Sequence, residues 1–179
     1  MSGHNKWSKI KHKKTATDSE RSKLFSKHAL SITMESKQAG GDVESPALSA
    51  AILRAKKDSM PKENIERAIL KGTGTQGSQF SKVLFETFGP AGTAILITAI
   101  TNNNNRTSQE IKHLLVKNGY VLGAPGSAAW AFAKESEGSF TPLSTTVITS
   151  EQLKELEELL LTLEDHADVE KIVTNAENL

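Results

Sequence analysis

The hydrophobic period of this chain changes once, across the polar stretch Gly-Thr-Gly-Thr-Gln-Gly-Ser-Gln at 72–79. Upstream, apolar residues recur every three or four positions; downstream they gather into short runs typical of strands. Such a chain has to fold as a helical part followed by a mixed part. Asp18 predicts the cap of a helix to about Ala39, with Phe25, Ala29 and Ile32 on one face and Gly40-Gly41-Asp42 as its stop. Ser45 before Pro46 predicts a second helix, carrying Leu48, Ala51, Ile52 and Ala55. Pro61 opens a third, with Ile65, Ala68 and Ile69 as its stripe and Gly72 as its end. Three short amphipathic helices make a small bundle over 18–74.

Beyond the linker, Val83 to Phe88 and Thr93 to Thr101 read as strands joined by the turn Gly89-Pro90-Ala91-Gly92. Thr107 with Glu110 reads as a capping box for a helix bearing Ile111, Leu114 and Leu115 and closed by Asn118-Gly119. Ala128 to Ala133 and Thr145 to Thr149 are further strands. Thr149 with Gln152 is a second capping box, opening a helix with Leu153, Leu156, Leu160 and Leu163, and Val169 to Val173 is the last strand. The fold class is therefore α+β. Residues 75–179 are expected to form a ferredoxin-like antiparallel sheet with two helices on one face.

Charge divides the chain along a similar line. Residues 1–71 hold 15 Lys or Arg against 8 Asp or Glu, a net +7, whereas 72–179 hold 7 against 13, a net −6. The first 30 residues alone hold 8 basic and 2 acidic side chains. That asymmetry points to a polyanion-binding half joined to a half with another task. Residues 1–17 set Lys6, Lys9, Lys11, Lys13 and Lys14 around Trp7 and Ile10, too little apolar surface to fold alone, and read as a flexible arm. Lysines spaced in this way suit a segment that follows a phosphate backbone, with the indole available to stack.

Other chemistries find little support. The chain has no cysteine, which removes disulfides, thiolate metal sites and cysteine catalysis. Its five histidines (His4, His12, His28, His113, His166) show no metal-ligand spacing. Glu155, Glu157, Glu158, Glu164 and Asp165 make a solvated helix face rather than an acid–base pair. Gly72-Thr-Gly74-Thr-Gln-Gly77 matches a dinucleotide fingerprint in letters only, because a helix precedes it and a strand follows. The longest apolar run, Ala94 to Ile100, is seven residues, and the first 30 residues lack the apolar core of a secretory signal. The expectation is a cytoplasmic, non-enzymatic, monomeric protein without cofactor, metal, membrane or small-molecule partner.

Several blocks together resemble the YebC/PmpR family. They are Gly3-His4-Asn-Lys6-Trp7-Ser-Lys9-Ile10-Lys11-His12-Lys13-Lys14, Gly40-Gly41-Asp42, Met60-Pro61-Lys62-Glu63-Asn64-Ile65-Glu66-Arg67-Ala68-Ile69, Lys71-Gly72-Thr73-Gly74, Phe85-Glu86 and Gly89-Pro90. The match continues at Asn105-Arg106-Thr107, Lys117-Asn118-Gly119, Leu122-Gly123, Pro125-Gly126-Ser127, Pro142 to Val147 and Asp168-Val169. The chain departs from the family pattern at Asn102 to Asn105, which lose an acid and an arginine, and at Tyr120, where the family has glycine. It is also shorter than typical members, and the family's third domain is expected to be missing near 134–140.

The resemblance implies a regulator of gene expression: a transcriptional regulator on duplex DNA or, alternatively, a ribosomal-RNA-bound translation factor that relieves stalling or activates translation. Mitochondrial relatives are known as translational activators of cytochrome c oxidase. A protein-interaction module is a third possibility. The expected nucleic-acid contacts are Lys6, Trp7, Lys9, Lys11, His12, Lys13, Lys14, Arg21, Lys23 and Lys27, extended by Arg54, Lys57, Arg67 and Lys71, with Arg106 a separate candidate.

Overall fold

Why the chain forms these elements is legible turn by turn in a computed structural model, which describes residues 18–74, 80–135 and 139–178. The basic arm at 1–17 and most of the expected linker lie outside them. Helix α1 spans Asp18–Gln38, α2 Pro46–Lys57 and α3 Lys62–Thr73. The chain leaves α1 through Gly40 and Gly41, whose φ of +60° and +86° suit glycine, and the Gly41 N–H bonds to Ser36 O at 2.9 Å. Ser45 makes no side-chain cap on α2, so the start is fixed by Pro46 at the first helical position. The end of α2 is a six-residue C-cap: Met60 N–H bonds to Ala55 O (2.9 Å), Ser59 N–H to Lys56 O (3.0 Å), and Ser59 takes φ 63°.

The chain divides into two units. The first comprises Thr17–Val83 with Ile100–Asn104. Its core is Ile32, Leu48, Ala51, Ala55, Met60, Ile65 and Ala68, with Phe25, Ala29, Ile52 and Ile69 against it. Small and hydroxylated residues let α1 and α3 approach closely. Thr33 Oγ1 donates to Ala68 O (3.2 Å) and Ser36 Oγ to Ile69 O (2.8 Å), each bonding a buried hydroxyl to a helix carbonyl. Gly72, expected as a stop, instead lies inside α3: a Cβ there would stand 2.5 Å from Thr33 O. It is a packing glycine rather than part of a phosphate loop.

The second unit comprises Leu84–Ala99 and Asn105–Leu179 among the described residues. Strands β1 (Ser81–Phe88), β2 (Ala94–Thr101) and β6 (Val169–Thr174) lie side by side in the order β1-β2-β6, with β2 antiparallel to β6. The central strand is apolar almost throughout, and Ile95, Leu96 and Ile97 are fully buried. Helix α4 (Asn104–Lys117) buries Ile111 and Leu115; α5 (Ser150–Glu164) buries Leu156, Leu159, Leu160 and Leu163. Thr149 and Gln152 form the expected capping box on α5.

The α+β class stands, but the strands do not form one antiparallel sheet. β3 (Phe132–Lys134) pairs with β4 (Phe140–Pro142), and β5 (Thr146–Ile148) pairs in parallel with β7 (Ala176–Asn178). Parallel pairing follows from the α5 crossover between β5 and the last strands. Buried Asn175 marks the break: its side chain accepts from Ala94 N–H (2.8 Å) while its carbonyl accepts from Thr146 N–H (2.9 Å). Two local expectations are corrected. Thr107 lies within α4, which begins at Asn104, so it is not a capping residue. The expected strand over 128–133 is a 3₁₀ turn at Ala129–Ala131 leading into β3.

Candidate nucleic-acid interface

Helix periodicity places the cations of the first unit away from its core. Arg54, Lys56 and Lys57 fill the last turn of α2, where they also oppose the negative end of the helix dipole. Arg67 and Lys71 lie one turn apart on α3 and are exposed, as are Arg21 and Lys23 near the start of α1. Lys27 is half-buried, one turn beyond Lys23. Arg21, Arg54, Lys56, Lys57 and Arg67 make no ion pair with any described residue. Lys71 is held with Nζ 5.7 Å from the centroid of the Phe80 ring. The remaining candidates, Lys6, Trp7, Lys9, Lys11, His12, Lys13 and Lys14, fall outside the described residues.

The positive charge is unevenly shared within this half. Residues 1–17 hold five lysines and no acid, whereas 18–71 hold ten basic and eight acidic side chains, a net of only +2. Part of that balance is internal: His28 Nε2 lies 2.7 Å from Asp58 Oδ2, and Lys62 pairs with Glu66 at 3.5 Å.

Arg106 sits in a different setting. It donates from Nη2 to Asp168 Oδ2 at 2.6 Å, and Thr107 Oγ1 donates to the same oxygen at 2.6 Å. Its Nε lies 3.7 Å from Glu110, which pairs with His166 Nε2 at 3.0 Å. Arg106, Glu110, His166 and Asp168 line an open depression of about 640 Å³. Donor atoms of Glu110, His166 and Asp168 fall within 4.8 Å of one another, as in a metal site. The hydrogen bonds point elsewhere. His166 Nδ1 accepts the Asp168 N–H (3.1 Å), so the ring proton sits on Nε2 and is directed at Glu110. A ligating imidazole would need that proton on Nδ1, against a backbone donor. The cluster therefore works as a clamp between α4 and the turn before β6, and Arg106 is engaged in it.

A second constellation had no counterpart among the expected site residues. Glu86, on β1, is 4% exposed, and its carboxylate accepts three backbone N–H groups: Gly126 (2.6 Å), Ala128 (2.7 Å) and Ala129 (2.8 Å). Burial alone would raise its pKa, but the three bonds prevail and hold it below the ordinary 4.5. The loop so fixed presents Trp130, whose indole N–H bonds back to Ser127 O at 2.8 Å while the side chain stays 66% exposed. In the sequence, Glu86 stood only within the Phe85-Glu86 block of the family resemblance, with no role attached to it.

Comparison with known proteins decides the family. Residues 5–75 match the model of the TACO1/YebC protein N-terminal domain, and 80–137 match that of the TACO1/YebC second and third domain. The chain belongs to the TACO1/YebC family. Members from Petrotoga mobilis and Thermotoga maritima, each named a probable transcriptional regulatory protein, are 41% identical over 189 residues. Those alignments cover 100% of this chain and 72% of each TACO1/YebC relative. The crystal structure of a conserved hypothetical protein, Aq1575 from Aquifex aeolicus, superposes with a TM-score of 0.82 at 30% identity, covering 95% of this chain and 96% of that one.

Proposed function

We propose that this TACO1/YebC chain is a non-enzymatic regulator of gene expression that grips a nucleic-acid backbone with its basic N-terminal half. The reading rests chiefly on the concentration of cations there: five lysines without an acid in 1–17, and Arg21, Arg54, Lys56, Lys57 and Arg67 unpaired within the described part of the first unit. The regulator names of its relatives support it. On this account Lys6, Lys9, Lys11, Lys13 and Lys14 track phosphates, Trp7 stacks, His12 adds a hydrogen bond, and Arg21, Lys23, Lys27, Arg54, Lys57, Arg67 and Lys71 extend the surface. Duplex DNA is the first target, and the protein acts as a cytoplasmic monomer without metal or cofactor. No helix among the described residues is long and apolar enough to cross a membrane.

Changing Lys9, Lys11, Lys13 and Lys14 together to Ala tests the reading by fluorescence anisotropy on a labelled 20-base-pair DNA duplex. If six phosphates are neutralised, log K falls against log salt with a slope of roughly −5 in the unaltered protein. The quadruple variant should flatten that slope by about 3 to 4 and lose orders of magnitude in affinity at moderate salt, with its circular dichroism unchanged. Equal affinity would reject the arm as the binding element.

The second reading, a translation factor on ribosomal RNA, draws on the kind of side chains exposed. The unpaired cations sit at helix ends and on outer faces without a row of Asn or Gln beside them to read base edges, which suits recognition by shape and phosphate.

A further inference from the structure

We propose that α2 is the helix of the bundle that enters the major groove of duplex DNA, with Leu53 packed against thymine methyl groups and Arg54, Lys56 and Lys57 on the phosphates beside it. This placement rests on the nucleic-acid reading above and makes it specific for one helix and one groove.

Helix geometry sets Leu53 apart from the core. Ala51 and Ala55, each two residues away and so about 200° round the helix, are buried, as is Leu48. Leu53 therefore points away from the bundle, and it is 62% exposed. Nothing in the packing of α2 calls for a leucine there, since alanine or lysine would serve the helix equally. Lys56 and Lys57 follow it by three and four residues and share its face, with Arg54 beside it. All three cations are exposed and make no ion pair with any described residue.

Charge and width choose the occupant. α2 contains no acidic residue, and Asp58, which follows it, has its carboxylate 2.7 Å from His28 Nε2 on α1. One leucine ringed by free cations suits a polyanion better than another protein, because lysine is depleted from protein–protein interfaces and charges buried there need partners. An α-helix with its side chains is roughly 10–12 Å across, which matches the roughly 12 Å major groove of B-DNA and exceeds the roughly 6 Å minor groove. The apolar feature of the major groove is the thymine C5 methyl, which an outward leucine can meet without any hydrogen-bonding side chain. Backbone bonds tie down the end of α2 that would keep this register: the N–H groups of Asp58, Ser59 and Met60 donate to Arg54 O, Lys56 O and Ala55 O.

The test uses the full-length protein and a labelled 20-base-pair duplex with an alternating A·T core, made either with thymine or with uracil, which lacks only the methyl. Fluorescence anisotropy should show the unaltered protein binding the uracil duplex about threefold more weakly. Leu53→Ala should bind the thymine duplex about tenfold more weakly than the unaltered protein and make no distinction between the two duplexes. Its slope of log K against log salt should be unchanged, because no charge is removed, and so should its thermal melting by circular dichroism. Leu70→Ala, which trims the 71% exposed leucine of α3, should bind as the unaltered protein does. If Leu53→Ala binds as tightly as the unaltered protein, still distinguishes thymine from uracil, or loses no more than Leu70→Ala, the proposal is overturned while the nucleic-acid reading stands. A loss in Leu53→Ala without any thymine preference in the unaltered protein would overturn it too, by placing the leucine against sugar. If the unaltered protein binds neither duplex even at low salt, the nucleic-acid reading itself falls and the placement of α2 falls with it.

Discussion

Glu86 shows how much one side chain can organise. A carboxylate 4% exposed would be costly on β1, yet three backbone N–H groups satisfy it and its proton affinity falls below the ordinary value. Glu86→Gln keeps the shape but replaces one accepting oxygen by an NH2 group, which faces backbone N–H donors and cannot accept from them, and should cost roughly 2–3 kcal/mol at pH 7 in urea unfolding. The pH dependence has a definite sign. Because the folded pKa is depressed, the carboxylate's contribution is fully present above about 4.5 and is lost as pH falls through the lower folded value. The stability gap between the original protein and the variant should therefore narrow on acidification below pH 4.5. A gap that stays constant to pH 3 would mean the bonds to Gly126, Ala128 and Ala129 do not depend on charge. The sequence offered no sign of this residue's role, because its donors lie about forty positions downstream and a strand glutamate reads as solvated.

Secondary-structure elements were most legible where local chemistry decides them. The helix stripes of Ile32, Leu48, Ala51 and Ile65, the Pro46 start and the Thr149–Gln152 box all act within a few residues, and the structure keeps them. Distant contacts set what was misread. Thr107 imitates a cap, but its hydroxyl donates a hydrogen bond to Asp168, sixty-one residues away, and α4 begins three residues earlier. β4 and β7, three residues each, are too short to show an alternating pattern and exist through pairing with β3 and β5. The end of α2 gives a prediction on this scale. Ser59 occupies the left-handed position of a C-cap that ordinarily holds glycine. Ser59→Gly should raise stability by about 0.5–1 kcal/mol, read as a melting temperature a few degrees higher. A lower melting temperature would indicate that the serine compensates its backbone conformation elsewhere.

At the level of the whole molecule, the net charge of each half conceals how that charge is distributed. The +7 of the N-terminal half resides mainly in the arm, and the described bundle adds unpaired cations on a background of internal pairs such as His28–Asp58. Arg106, alike in composition to the others, is drawn into the Asp168–Glu110 clamp, a placement that only the fold reveals. The central claim is nucleic-acid engagement by the basic half. Its most direct test is sedimentation of the tagged protein from gently lysed cells through a sucrose gradient, untreated, DNase-treated and RNase-treated. The account predicts a heavy, salt-sensitive complex dissolved by one nuclease: by DNase for a promoter-bound regulator, by RNase for a ribosome-bound factor. Protein that stays at the top of every gradient, or a heavy complex indifferent to both nucleases and to high salt, would contradict it.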